Sequence, residues 1–190
     1  MSVVCCSTEL WGARAYESAR GRRDDWTLVT KPGELEKACA DIDPTWVFFL
    51  HWPTKVKENV HGRWRCVGFH GTPLPYGRGG SPIENMLLRG HEATVITAYA
   101  MTDVAEGGPL YGDVGPVGLG GTRDEILARF SDPVSEMMKY IVRETPTPKP
   151  QDETKVVLFE RLSPEATDKF WADPASAIAK YNEKPKEKIA

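Results

Sequence analysis

No segment of this 190-residue chain is apolar for the roughly 20 residues that a membrane-crossing helix needs, and Met1-Ser-Val-Val-Cys-Cys-Ser7 is too short for a secretory core. These absences predict a soluble, cytoplasmic protein with no membrane partner. Cysteine is sparse: Cys5, Cys6, Cys39 and Cys66 lie in or beside apolar segments without Cys-x-x-Cys spacing. That pattern suits buried free thiols better than disulfides or zinc ligands, so no metal is expected. Positive charge is not in excess, with 24 Lys and Arg against 27 Asp and Glu, a net charge of -3. Nothing in that balance calls for nucleic acid, and the small basic groups Arg20-Gly-Arg-Arg23 and Lys184 to Lys188 read as solvated surface. Gly-x-Gly-x-x-Gly is missing from the first turn, Cys6 to Gly12, which removes support for a bound dinucleotide. Internal repeats are absent too.

What is present is an alternation of strand-like and helix-like segments. Ser2 to Cys6 reads as a strand, and Glu9 to Arg20 as a helix with Leu10, Ala13 and Tyr16 on one face and Ser7 or Thr8 as its cap. Trp26 to Thr30 is a second strand and Gly33 to Ala40 a short helix. Trp46-Val-Phe-Phe-Leu50 is apolar at every position, as a parallel strand covered on both faces must be. Pro53 to Gly62 has room for a helical turn before a fourth strand, Trp64 to Phe69. The pattern predicts an α/β three-layer sandwich with a mostly parallel, Rossmann-like sheet. Thr94 to Met101 is strongly β-prone, and the glycine-rich passage from Gly107 to Gly121 must loop or form short edge strands. Thr122-Arg-Asp-Glu125 forms a capping-box pattern ahead of a helix interrupted or kinked near Pro133. Val156 to Phe159 is a short strand or an extended segment. Residues 1–160 are expected to form the domain, with 161–190 a peripheral helix and a polar tail.

The densest signal is Gly68-Phe-His-Gly-Thr-Pro-Leu-Pro-Tyr-Gly-Arg-Gly-Gly-Ser-Pro-Ile83, which runs from a strand through a loop into a helix capped at Ser81 with Pro82 at its first position. His70 stands at the carboxyl end of a buried strand, where open α/β sheets place their ligands. The plain structural alternative is a strand-end histidine bonded to a backbone carbonyl. Pro73 and Pro75 stiffen the loop, while Gly77, Gly79 and Gly80 permit unusual backbone angles. Arg78 could contact an anionic acceptor or pair with a carboxylate. His51, at the end of the third strand as His70 is at the end of the fourth, either packs that end or joins the same cleft.

His70-Gly-Thr-Pro-Leu-Pro75, followed by Arg78-Gly-Gly-Ser-Pro-Ile83, resembles the His-x-Ser-Leu-Leu-Pro loop and Arg-Gly-x-x-Pro-Ile segment of folate-dependent formyltransferases. Ala105-Glu-Gly-Gly-Pro-Leu-Tyr111 is similar to that family's Leu-Asp-x-Gly-Pro block, and it lies at the expected interval, with Glu106 36 residues after His70. The resemblance implies formyl transfer from 10-formyltetrahydrofolate to a primary amine, with His70 and Glu106 catalytic. It also implies that Gly71, Thr72, Pro73, Leu74, Pro75, Tyr76, Arg78 and Gly79 lie against the folate. A small-molecule amine, an amino sugar or an amino acid derivative, is the expected acceptor, because the chain after residue 160 is too short for the barrel that tRNA formyltransferases add. A homo-oligomer is left open.

Two positions depart from the family's pattern. Gly68 stands where the family has the asparagine of Asn-x-His, whose amide helps to bind the formyl oxygen, and Glu106 replaces aspartate. His51 is therefore a candidate third catalytic residue, supplying part of the missing donor's role. The departures also keep two other readings open: a relative that binds folate or another small ligand, or serves as an interaction module, without catalysis; and a hydrolase of the formyl donor.

Overall fold

The structure is a computed structural model and describes residues 1–183. In chain order, β1 (Val3–Cys6), α1 (Leu10–Arg20), β2 (Trp26–Val29), α2 (Leu35–Ile42), β3 (Trp46–Phe49), α3 (Glu58–His61) and β4 (Arg65–His70) alternate strand with helix. There follow β5 (Tyr76–Gly79), α4 (Pro82–Leu88), β6 (Ala93–Ala100), β7 (Leu110–Gly118), α5 (Arg123–Ala128), α6 (Ser131–Glu144), β8 (Val157–Phe159), α7 (Pro164–Ala172) and α8 (Pro174–Glu183).

Apolar residues at every position of β1 and β3 require cover on both faces, and the sheet provides it. Its order is β2-β1-β3-β4-β6-β7, parallel as far as β4 and antiparallel beyond. Alternate side chains enter two cores. Val3, Cys5, Trp46 and Phe48 pack with Trp11 and Tyr16 of α1 and Met138 and Ile141 of α6. Val4, Cys6, Val47 and Phe49 pack with Leu35 and Cys39 of α2 and Val60 of α3. The result is the expected α/β three-layer arrangement with a mostly parallel sheet. All four cysteines are free and buried, and desolvation raises the pKa of each thiol.

Several local expectations need correction. Leu10 does not share the buried face of α1; it is 78% exposed, and Trp11, Ala15, Tyr16 and Ala19 face the core. Neither Ser7 nor Thr8 caps that helix: Glu9 holds the cap position, and Ser7 Oγ accepts from its backbone N–H at 3.2 Å. Ser81 precedes α4 as expected, with Pro82 in the first helical positions, but its hydroxyl takes the N–H of Leu162 at 3.0 Å and caps nothing. The glycine-rich passage contains one nine-residue edge strand, β7, whose irregular register absorbs Gly112 and Gly115 at φ 139° and 138°. Thr122 makes the full capping box. The next helix is broken before Ser131, which leaves Pro133 in the first turn of α6, where its missing N–H costs nothing. After residue 160 two helices, α7 and α8, replace the single one expected, and the polar tail lies outside the described residues.

Candidate active site

His70 ends β4 and is buried, 8% exposed. Its Nε2 lies 2.8 Å from the carbonyl oxygen of Gly77, which can only accept, so Nε2 carries the proton and Nδ1 keeps its lone pair. The bond to a carbonyl anticipated as the plain alternative is thus present, and it selects a tautomer. Burial lowers the pKa of His70, opposed by the negative charge of Glu106 and by the Gly77 bond. The neutral imidazole is favoured, with Glu106 near enough to favour a proton that arrives.

The loop after His70 is held largely through its backbone groups, most of them bonded to β6 and β8. The Thr97 hydroxyl accepts from the Leu74 N–H at 3.2 Å and stands 2.7 Å from the Thr72 carbonyl oxygen, and the Thr94 hydroxyl donates to the Gly71 carbonyl at 2.8 Å. The Tyr76 N–H bonds the Pro73 carbonyl at 3.1 Å, and the Val157 N–H bonds that of Pro75 at 3.3 Å. Gly71, Thr72 and Leu74 are buried; Pro73, Pro75 and Tyr76 reach the surface. Pro73 and Tyr76 border a cavity of about 430 Å³ with Met86, His91, Thr94 and Pro116, and neither His70 nor Glu106 lines it.

β5 and β8 form a two-stranded parallel sheet, so residues 76–79 meet residues 157–159. Arg78, 5% exposed, donates to both carboxylate oxygens of Glu153 at 2.9 and 2.6 Å and to the Gln151 side-chain oxygen at 2.8 Å. Of its two expected roles, it takes the pairing with a carboxylate. The Gln151 amide in turn donates to the carbonyls of Glu106 and Gly108, both at 2.7 Å. Glu106 has a left-handed backbone, φ 51°, and its Oε2 accepts from the Gly79 N–H at 3.2 Å. Arg78 and Gly79 therefore set the Glu106 loop, one through Gln151 and the other directly.

His51 also adopts positive φ, 64°, after β3. Its Nε2 is 3.6 Å from Glu9 Oε1, which Arg123 also approaches at 3.3 Å. Asn85 has no amide to offer the site: its Nδ2 serves the carbonyls of Gly80, Ser81 and Glu160. Residue-by-residue reading passed over Gln151 and Glu153, which carry no motif; their roles arise from pairing distant segments.

The chain and its fold have known counterparts. Methionyl-tRNA formyltransferase from Clostridium thermocellum matches with a TM-score of 0.80 at 28% identity, covering 87% of this chain and 74% of that one. Methionyl-tRNA formyltransferase of Deinococcus radiodurans is 30% identical over 148 residues, 76% of this chain and 46% of the relative.

The chain belongs to the folate-dependent formyltransferase family.

Other formyltransferases share the fold alone. The N-formyltransferase from Helicobacter canadensis, solved with folinic acid and dTDP-3-aminofucose, matches with a TM-score of 0.64 at 11% identity, covering 85% of this chain and 71% of that one. No family model matches the sequence. The chain spans about half the length of the curated formyltransferases that it matches. Among the described residues, no helix is long and apolar enough to cross a membrane, and no group of three or more His, Cys, Asp or Glu could hold a metal ion.

Proposed function

We propose that this formyltransferase-family chain transfers a formyl group from 10-formyltetrahydrofolate to a primary amine, with a small-molecule amine as acceptor. The observation that carries the reading is His70: a buried, neutral imidazole with its tautomer set by Gly77 and the charge of Glu106 nearby. As the amine nitrogen bonds to the formyl carbon, the carbonyl electron pair moves onto oxygen, and Nδ1 of His70 takes the proton that the nitrogen sheds. Glu106 stabilises the imidazolium so formed. That proton then passes to the folate nitrogen as its bond to the formyl carbon breaks, releasing tetrahydrofolate and the formylated amine.

The loop from Gly71 to Gly79 is the proposed folate contact, with Pro73 exposed and Pro75, Tyr76 and Gly79 half-buried. His51, beside Glu9, is proposed to face the same cleft from the end of β3. The acceptor choice rests on the net charge of -3, which gives a polyanion no general attraction. Relatives named for methionyl-tRNA make that substrate the necessary control.

The test is incubation with 10-formyltetrahydrofolate and, separately, a nucleotide-linked amino sugar, amino acid derivatives and methionyl-tRNA, followed by mass analysis. A formylated small amine is expected, and His70→Ala is expected to slow its formation by about 100- to 10,000-fold. Formate released without any formylated amine would identify a hydrolase. Formylated methionyl-tRNA alone would reject the small-molecule acceptor, and folate binding without turnover would reject catalysis.

A further inference from the structure

Gly68 has no side chain, yet the space beside it is filled. β4 and β6 run antiparallel with Gly68 opposite Tyr99, so both residues face one side of the sheet, the side to which His70 points two residues later. A Cβ on Gly68 would stand 2.5 Å from Tyr99 Cζ and 2.6 Å from its hydroxyl oxygen. The phenol thus occupies the volume in which a longer side chain at position 68 would begin.

The rest of that residue is committed to the fold, but its hydroxyl is not. Tyr99 is only 7% exposed, and among the described residues its hydroxyl bonds to no protein group. Nor is that oxygen one of the side-chain polar atoms sealed from solvent without a partner, so it keeps some contact with solvent. Burial and the nearby charge of Glu106 raise its pKa, which keeps the phenol protonated and able to donate. Glu106 acts on both groups: it weighs on the Tyr99 phenol and on the His70 imidazole.

We infer that the Tyr99 hydroxyl donates a hydrogen bond to the formyl oxygen, replacing from the neighbouring strand the donor that the family's asparagine would supply at Gly68. The inference rests on the formyl-transfer reading and adds to it a second catalytic group. Tyr99 faces the oxygen on which charge develops, while Nδ1 of His70 faces the proton. A donor aimed at developing charge is stabilising when it is already oriented before reaction, and the buried ring of Tyr99 has little freedom to move.

The test uses the full chain, with Tyr99→Phe as the main variant because it removes one oxygen and keeps the packed ring. Binding of a stable 10-formyl folate analogue, carrying a ¹³C label on its formyl carbon, is measured first. Its carbonyl infrared band is expected at lower frequency on the wild type than on Tyr99→Phe, because only the wild type bonds to that oxygen. In turnover, Tyr99→Phe is expected to reduce kcat by about 100- to 1000-fold with KM changed by less than about threefold. A complementary pair is Tyr99→Ala and the double variant Gly68→Asn with Tyr99→Ala, in which the vacated space admits the amide; the double variant is expected to be about tenfold faster than Tyr99→Ala alone. An unchanged band with an unchanged kcat in Tyr99→Phe overturns the inference and leaves formyl transfer standing. Failure of the wild type to bind the analogue overturns the formyl-transfer reading itself, and the inference with it.

Discussion

His70 is one side chain with two constraints: its Nε2 proton is committed to the Gly77 carbonyl, and its burial disfavours a second proton. The pH consequence has a definite sign. The pKa of His70 lies below the ordinary 6.5, so between 6.5 and that lower value the unfolded chain binds more protons than the folded one. Stability therefore falls as pH drops through that window and is unaffected by this group above it. His70→Gln is expected to flatten that part of the stability curve in denaturant titrations from about pH 7 to pH 5; equal slopes in the two proteins would refute it. On the same grounds kcat/KM for formyl transfer is expected to decline on the acid side with an apparent pKa below 6.5. His51 has a lesser expected role, since its imidazole already faces Glu9. His51→Ala should slow transfer by less than Tyr99→Phe does, and an unchanged rate removes it from the site.

At the scale of elements, β5 and β8 hold the Glu106 loop. Gly79 has φ 116°, and a Cβ there would run into the Phe159 carbonyl, so β5 can lie against β8 only with glycine at that position. Gly79→Ala is expected to cost at least about 1 kcal/mol in denaturant unfolding and to slow catalysis, because the Gly79 N–H also holds the Glu106 carboxylate. Arg78→Met removes the bonds to Glu153 and Gln151; it is expected to cost about 2 kcal/mol and to lower kcat by up to about 100-fold as the Glu106 loop shifts. A variant as stable and as fast as the wild type would show that this network positions nothing. The strands themselves were largely legible, because a run such as Trp46 to Phe49 has one stable environment, a strand covered on both faces. The pairing of β5 with β8 was not legible: it joins residues some 80 positions apart, and neither segment carries a local signal of its partner.

For the molecule as a whole, we keep residues 1–160 as the proposed domain and treat the described residues beyond it as peripheral. Of these only Phe170 is fully buried, at 3% exposure, while the indole of neighbouring Trp171 donates to Glu84 of α4 at 2.7 Å. Phe170→Ala is accordingly expected to cost about 3 kcal/mol in denaturant unfolding, whereas a loss below about 1 kcal/mol would mean that α7 adds little to the fold. By itself the sequence determined the layer architecture and the family, because hydrophobic periodicity and motif spacing can be read directly along the chain. Only the tertiary structure decided that Arg78 pairs with Glu153, that Gln151 holds the Glu106 loop, and that Tyr99 fills the space beside Gly68. Those contacts depend on strand register and on segments brought together by the two sheets, and a gap in one strand can be filled by a side chain whose position along the chain gives no hint of it.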